Sequence, residues 1–303
     1  MKTFHAVTGP VPASELGKVL IHEHIICVSP VFYRCFGEKW FSREKIIETA
    51  VTKLKNSGFQ TIVDGSPAAL GRDVCLLAEI SRQSGVNIIA SSGFYTTLEF
   101  GLDHVPPEIM AQYFIDECLN GAEGTSIRPG MLKCAVEPGS SLRAIEVMAL
   151  VQKETGLSIF AHSNAHAETG LSILDIFEKH GVDPARVIIG HTGDSGTADY
   201  ALKLLKRGCY VEIDRIYGNN TQAANIISEL AGQGYLNRLL ISHDQICYDV
   251  SCNNLQNNPR APHNNPDGLR CISDFILPQL REKGFGEADI EQLIIVNPRE
   301  VLR

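Results

Sequence analysis

The run His22-Glu23-His24 closes a short apolar stretch at residues 19–21 and has the clearest chemical potential in the sequence. Side chains alternate between the two faces of a β-strand, so histidines separated by one residue point the same way. Their imidazole nitrogens can then reach a single metal ion at about 2.0–2.1 Å, the usual Zn–N distance. A lone His-x-His pair also arises by chance. Its interpretation therefore depends on which other residues the fold brings to the same place.

Eight short apolar segments alternate with eight helical segments along the 303-residue chain. The predicted strands are residues 18–21, 61–64, 87–91, 131–135, 158–161, 187–190, 210–213 and 239–242, and the predicted helices are residues 42–57, 73–84, 106–121, 141–155, 169–180, 197–207, 221–232 and 266–283. Continuous apolar character, as in Val187-Ile188-Ile189, is typical of parallel strands buried on both faces. Glycines that follow basic residues mark the ends of several helices. The alternation predicts an α/β fold, a single (β/α)8 TIM barrel over residues 1–303.

Catalytic side chains of such barrels lie at the carboxyl ends of the strands. At these ends the sequence has four histidines, one lysine and one aspartate: His22, His24, Lys133, His162, His191 and Asp244. Histidines and an aspartate directed at one mouth predict a metal site. Lys133 does not fit as an ammonium, because a cation without a lone pair is repelled by metal ions. It either contacts substrate outside the metal shell or carries a CO₂-derived carbamate, whose two oxygens suit a bridge between two ions.

These residues resemble the phosphotriesterase family of the amidohydrolase superfamily, and most closely its phosphotriesterase-like lactonase branch. The resemblance rests on residues 17–24 (GKVLIHEH), 130–133 (GMLK), 161–162 (AH), 189–191 (IGH) and 241–244 (ISHD), and it runs nearly the whole chain in order. It implies a binuclear metal hydrolase. The implied roles are a buried ion on His22 and His24, a more exposed ion on His162 and His191, a bridging carboxylated Lys133, and Asp244 as both a ligand of the buried ion and the proton acceptor.

The identity of the bridging residue has one alternative. Some relatives have a glutamate near this strand, and Glu137 lies four residues after Lys133. We favour Lys133 because it fits the Gly-x-x-Lys spacing directly. His166 and His243 are further candidates for a proton shuttle, although a structural role is favoured for both. Zn²⁺ is the default metal for a His/Asp site, but Mn²⁺, Co²⁺ or Fe²⁺ fit as well.

Two residues bear on the substrate. Tyr95 follows the third predicted strand and Arg215 follows the seventh, where lactonase-like members of the family carry the same residue types. A phenol near the exposed ion would orient or protonate a leaving alkoxide, while an arginine would shape the pocket or pair with an anionic substrate. The alternatives are a packed aromatic ring for Tyr95 and an ion pair with Asp214 or Asp249 for Arg215.

Three functions follow from this constellation. The first is a metal-dependent lactonase or carboxylic-ester hydrolase with phosphotriesterase side activity. The second is hydrolysis of N-acyl amides on the same centre, and the third is a non-catalytic binding barrel, which has no need of all six residues. The long polar segment 245–267 predicts a lid or pocket wall, because loops of this length usually carry function.

The composition argues against nucleic-acid and membrane partners, so we expect a small-molecule substrate. A net charge of −8 argues against nucleic acid, and no apolar run approaches the length needed to span a bilayer. The N-terminal residues lack the apolar core of a signal peptide. The sequence has nine cysteines without a C-x-x-C pair, which favours reduced thiols and a cytoplasmic protein. A homodimer is expected from the resemblance alone.

Overall fold

The strands and helices are defined by a computed structural model that describes residues 3–36, 42–96, 101–249 and 267–303. The strands are β1 (Thr3–Ala6), β2 (Gly9–Pro12), β3 (Val19–Cys27), β4 (Thr61–Asp64), β5 (Asn87–Gly93), β6 (Met131–Val136), β7 (Ile159–Ser163), β8 (Val187–Gly190), β9 (Tyr210–Ile213), β10 (Leu239–Ile241) and β11 (Ile246–Asp249). The helices are α1 (Pro30–Phe36), α2 (Arg43–Asn56), α3 (Val74–Ser84), α4 (Pro107–Asn120), α5 (Arg143–Thr155), α6 (Thr169–Lys179), α7 (Asp199–Leu205), α8 (Thr221–Gly232), α9 (Leu277–Glu282), α10 (Glu287–Glu291) and α11 (Asn297–Val301).

Nine parallel strands form one curled sheet with helices around it, as in a TIM-like barrel. Their order across the sheet is β10-β9-β8-β7-β6-β5-β4-β3-β11. Most predicted strands and helices are found within two residues of their expected bounds. The first strand is longer, since β3 continues to Cys27, and the predicted helix 266–283 is α-helical only as α9, after a 3-10 turn at Gly268–Arg270 and a π-helical turn at Ile272–Ile276. Local signals explain the helix ends: the side chains of Ser42 and Asp73 accept the backbone N–H groups of Lys45 and Leu76 at the starts of α2 and α3.

Alternating strand residues fill two separate cores. One core lies inside the curled sheet, and it contains Phe4, Ala6, Val11, Leu16, Val19, Ile21, Val63, Ile89, Met131, Phe160, Ile188, Tyr210, Leu240, Val301 and Leu302. The larger core lies between the sheet and the helices and takes the intervening residues, such as Leu20, Ile62 and Leu132. Apolar packing on both faces explains why the strands read as continuous apolar runs.

Strand β3 breaks this alternation just before the histidines. Its register with β4 shifts between Leu20 and Glu23. Ile21 packs in the inner core, yet the next residue, His22, also lies on the inner side, against the ring of Phe160 at a centroid distance of 4.1 Å. A strand irregularity of this kind re-aims the side chains that follow it. It turns His22 and His24 inward and Glu23 outward.

The eighth predicted strand, residues 239–242, is found as β10. After a break at residues 242–245 a further strand follows, β11, which the sequence did not predict. β10 pairs with β9, whereas β11 pairs with β3, so the two ends of the sheet meet at this break. The prediction of one loop over residues 245–267 is therefore wrong for 246–249. Residues 250–266, with the lid or pocket wall expected there, lie outside the described residues.

The hairpin of β1 and β2 was not predicted from the sequence. It is antiparallel and contains Pro10 and Pro12, which usually argue against a strand except at a sheet edge. Phe4 and Val11 from this hairpin pack into the inner core, and the backbone N–H of Val7 donates to the carbonyl of Ile88 at 2.8 Å. Among the described residues, no helix has the length and apolar character needed to cross a membrane.

Gly93 at the end of β5 allows the close approach of the strand that carries Lys133. Its φ is +134°, and a Cβ there would lie 2.0 Å from the backbone oxygen of Lys133. We expect Gly93→Ala to lower the free energy of unfolding by about 2–4 kcal/mol, from backbone strain and overpacking together. Gly85→Ala is the control, because φ is +74° but no atom lies within 4 Å of the added Cβ. Urea denaturation showing equal losses for the two variants would contradict this account of Gly93.

Candidate metal centre

The structure brings the six residues expected to bind metal to one end of the sheet. His22 and His24 lie within β3 rather than after it, Lys133 lies in β6, and His162 lies in β7. His191 directly follows β8, and Asp244 lies in the break between β10 and β11. All six side chains are buried.

Short contacts connect these side chains. His22 Nε2 lies 3.0 Å from Lys133 Nζ, and His24 Nε2 lies 3.2 Å from Asp244 Oδ1. His162 Nδ1 lies 2.7 Å from His191 Nε2. The rings of His22 and His191 have centroids 5.4 Å apart, which joins the two groups into one cluster.

A carboxylate lies behind one histidine of each group. His22 Nδ1 is 3.3 Å from Asp214 Oδ2 and 3.2 Å from Glu212 Oε2. His191 Nδ1 is 2.7 Å from the same Asp214 Oδ2. Asp214 accepts the Nδ1 proton of His22, which leaves Nε2 of that ring with a lone pair, and it also lies within ion-pair distance of His191 Nδ1.

Two other acceptors fix the remaining histidines. Ser66 Oγ lies 2.8 Å from His24 Nδ1 and donates its own proton to the Ile26 carbonyl, so His24 Nδ1 is the donor. Glu137 Oε1 lies 2.7 Å from His162 Nε2, which makes that nitrogen a donor as well. The lone pairs of His24 and His162 therefore lie on Nε2 and Nδ1, which face the cluster.

This pattern fits a metal centre. Burial, together with the neighbouring cations, lowers the pKa of His22 and of His162 well below the usual histidine value, so both rings are neutral at neutral pH. His162 Nδ1 and His191 Nε2 lie close enough to bind one cation. The ligand atoms of His22, His24 and Asp244 lie within 4.8 Å of one another. Asp214 forms a similar group with His22 and His191, but because it lies against Nδ1 of His22, we interpret it as the hydrogen-bond acceptor of that ring.

Lys133 is buried between an aromatic ring and several carboxylates. Its Nζ lies 4.1 Å from the centroid of the Phe160 ring. Burial lowers the pKa of the ammonium to about 8, and the nearby Asp244, Glu212 and Asp214 oppose that effect. The next residue, Cys134, points into the outer core, where burial raises the pKa of its thiol to about 12. A buried thiol of this kind packs as a small apolar side chain.

Arg215 links the buried centre to the surface. Its Nε donates to Asp244 Oδ2 at 3.2 Å, and its Nη1 donates to the carboxylate of Asp194, which is 26% exposed. The sequence suggested Asp214 or Asp249 as its partner. Asp214 instead contacts the histidines, and the side chain of Asp249 lies outside the described residues.

Three residues in the turns that follow β8, β9 and β10 have left-handed backbone conformations, with φ of 62° at His191, 53° at Arg215 and 52° at Asp244. Non-glycine residues adopt this region at a cost and cluster at functional sites. The strained turns therefore mark the same end of the sheet as the histidines.

Glu137 and Tyr95 lie beside His162. Glu137 Oε2 accepts from Asn164 Nδ2 at 2.7 Å, and its side chain is 38% exposed. It contacts the Nε2 side of His162, opposite the nitrogen that faces His191, so its position suits orientation of the ring. Tyr95 packs edge-to-face with His162, at a centroid distance of 5.7 Å.

The two shuttle candidates differ in their surroundings. His243 is completely buried, with Nδ1 2.7 Å from Glu23 Oε1. His166 is exposed and lines a cavity of about 310 Å³ together with Asp194, Asp214 and Arg215.

The sequence interpretation missed the acceptors behind the rings. Glu212 and Asp214 have the same one-residue separation as His22 and His24, at the end of β9, so period-two alternation was a usable signal. Ser66 follows β4 without a comparable pattern. Asp194 lies three residues after His191, and only the fold brings it to Arg215.

Comparisons with known proteins agree with the geometry. The family model described as the phosphotriesterase family matches residues 2–302. A phosphotriesterase homology protein of Mycobacterium tuberculosis is 29% identical over 99% of this chain and 98% of its own length. An aryldialkylphosphatase of Saccharolobus solfataricus is 29% identical over 96% of both chains. An N-acetyltaurine hydrolase of Dictyostelium discoideum is 26% identical over 84% of this chain and 73% of its own length.

Gly65 gives a test of the metal-facing geometry. A Cβ at this position would lie 2.6 Å from His22 Cδ2 and 3.5 Å from His24 Cε1. Because His22 is buried against Phe160, it has little room to move aside. We expect Gly65→Ala to lower Zn²⁺ affinity by about 10- to 100-fold, the range for disturbing the orientation of metal ligands. Gly232→Ala, which meets no atom within 4 Å, should bind Zn²⁺ as the unaltered protein does. Unchanged affinity in Gly65→Ala by chelator competition would argue against this arrangement of His22.

Proposed function

The chain belongs to the phosphotriesterase family, and we propose that it is a binuclear metal-dependent hydrolase that cleaves lactones and other carboxylic esters, with phosphotriesters as side substrates. The family and the relatives indicate a hydrolase. The observation that carries the proposal is the set of four buried histidines that lie together with Asp244 at one end of the barrel strands.

The histidines and Asp244 divide into two ligand sets. His22, His24 and Asp244 would hold the buried ion, and His162 and His191 would hold the more exposed one. When bound, two divalent ions, with zinc as the default, supply hydroxide near neutral pH and polarise the scissile carbonyl. Asp214 and Ser66, from behind the rings, keep His22 and His24 in the tautomer that binding needs.

Lys133 would bridge the two ions as a carbamate. Its neutral amine adds to CO₂, forming one N–C bond and releasing one proton, and the product is an anion with two oxygens. Burial beside Phe160 favours the neutral amine, and the lowered pKa is consistent with this. Glu137 is the alternative bridge, but its carboxylate already contacts His162 and Asn164.

Asp244 would accept the proton of the attacking water. Its Oδ1 faces His24, while its Oδ2 is held by Arg215. Arg215 is already engaged by two carboxylates, which favours a role in holding Asp244 and its own loop over capture of an anionic substrate. Because the pair continues to the partly exposed Asp194, it also gives a polar route towards solvent.

Tyr95 supports the choice of a lactone. Its ring lies beside His162, at the more exposed side of the centre. A planar ester would present its carbonyl there with the ring oxygen near the phenol, which would orient or protonate the departing alkoxide. A tetrahedral phosphotriester needs more room around the same point.

Amide hydrolysis is the second candidate. The N-acetyltaurine hydrolase of Dictyostelium discoideum, named for action on an amide, is among the relatives. Hydroxide supplied by the same centre would attack an amide carbonyl. The cavity beside Arg215 would take the polar amine part of the amide, which is the leaving group.

The bridging role of Lys133 has a direct test. We expect two Zn²⁺ ions per chain in the unaltered protein, and a Lys133→Ala variant that loses most of the metal and the activity. Added acetate or propionate should restore part of both by supplying bridging oxygens. Elemental analysis and mass spectrometry of the intact protein are the measurements. Two ions retained by Lys133→Ala would remove Lys133 from the bridge, and metal-free but active protein would reject the binuclear proposal.

The substrate class can be determined by measuring hydrolysis of five- and six-membered lactones, N-acyl amino acids and aryl phosphotriesters. We expect the lactones to have the highest kcat/KM. Tyr95→Phe should lower lactone turnover by about 10- to 100-fold and phosphotriester turnover by less, since only the lactone uses the phenol. Tyr113→Phe is the matched control, because Tyr113 is 64% exposed on α4. Equal losses on both substrates would show that Tyr95 only packs, and turnover of amides alone would favour the second candidate.

A further inference from the structure

Glu23 lies between the two histidines of β3 but faces away from the metal side. The irregularity in β3 turns it outward, towards the chain that follows β10. Its side chain is completely buried. A carboxylate in such a place is costly unless several donors bind it.

Three donors from one short segment bind this carboxylate. Oε1 accepts the backbone N–H of His243 at 2.8 Å and lies 2.7 Å from His243 Nδ1. Oε2 accepts the backbone N–H of Gln245 at 2.8 Å. Glu23 thus holds the amides on both sides of Asp244.

The protonation state of His243 follows from its second contact. The backbone N–H of Ile272 points at His243 Nε2 at 3.1 Å, so that nitrogen is an acceptor. The ring proton is therefore on Nδ1, where it is donated to Glu23. This arrangement gives His243 a fixed structural role and leaves it no part in proton transfer at the metal side.

The break between β10 and β11 explains why these backbone N–H groups need a carboxylate as their acceptor. β10 pairs with β9 and β11 pairs with β3, but residues 242–245 belong to neither strand. The N–H of Asp244 reaches the carbonyl of His22 at 3.3 Å, while its two neighbours have the oxygens of Glu23. Without these acceptors, two buried N–H groups would be unsatisfied beside a residue already in a left-handed conformation.

We infer that Glu23 is a positioning residue for Asp244: its carboxylate holds the backbone on both sides of Asp244 in the conformation that aims the Asp244 side chain at the metal centre. The inference rests on the proposed function, because it assigns Asp244 to that centre. One residue of β3 would thereby join the two flanking histidine ligands to the aspartate ligand in the break between β10 and β11.

The test compares Glu23→Gln with Glu117→Gln. A glutamine at position 23 keeps the shape but turns an N–H towards one of the donors, so the segment around Asp244 must shift. Glu117 also pairs with a buried cation, Arg72, but it lies on α4 and contacts no proposed metal ligand. Both variants should lose stability. Only Glu23→Gln should lower Zn²⁺ affinity, by about 10- to 100-fold, when the zinc-loaded proteins are titrated with a chelator.

The outcomes are distinct. Zn²⁺ affinity equal to that of the unaltered protein in Glu23→Gln would overturn the inference, as would an equal loss in Glu117→Gln. Failure of the unaltered protein to bind Zn²⁺ would instead reject the proposed function. If Glu23→Gln does not fold, hydrogen exchange on the unaltered protein decides: the amides of His243 and Gln245 should exchange as slowly as those of β3, and exchange at the rate of exposed loops would overturn the inference.

Discussion

The rest of the centre depends on a carboxylate that is shared by two histidines. Asp214 Oδ2 lies 3.3 Å from His22 Nδ1 and 2.7 Å from His191 Nδ1, so a single side chain contacts one ring of each proposed ligand set. Glu212 is buried beside it, and burial together with the Asp214 charge raises its pKa well above the usual glutamate value. The raised pKa favours the protonated form of Glu212, which reduces the repulsion between the two acids. His22 Nδ1 lies against both acids and stabilises their burial.

The curled sheet explains how these groups reach one place. Residues two positions after an inner-core residue lie on the same face and one layer higher. Lys133 thus lies above Met131, His162 above Phe160, Glu212 above Tyr210 and Ser242 above Leu240. The apolar layer below closes the centre from one side. Phe160 in that layer touches both His22 and Lys133, so it removes water from the two groups whose neutral forms matter most.

The sequence predicted most of the strands and helices and the inward histidines because both follow from periodicity. Val187-Ile188-Ile189 is typical of a buried strand, and His191 comes directly after it. The break between β10 and β11 was not predictable in this way, because the acceptors for the amides of residues 243 and 245 come from Glu23, which is distant in sequence. Asp194 and Ser66 were missed for the same reason, since their partners are defined only by the fold. The hairpin of β1 and β2 was missed because its prolines argue against strand formation.

Substrate choice is harder to read than the centre itself, and the relatives show the reason. One is named an aryldialkylphosphatase and another an N-acetyltaurine hydrolase, although both align with most of this chain. One family can thus include proteins named for action on phosphorus and on carbon centres. We propose that the discrimination comes from residues in the loops after the strands, such as Tyr95 after β5. These loops are free to vary, since strand packing does not constrain them. Strand packing constrains the residues of the sheet, so the fold and the inward histidines can be predicted from the sequence. It does not constrain the loops after the strands, so the substrate cannot be predicted in the same way.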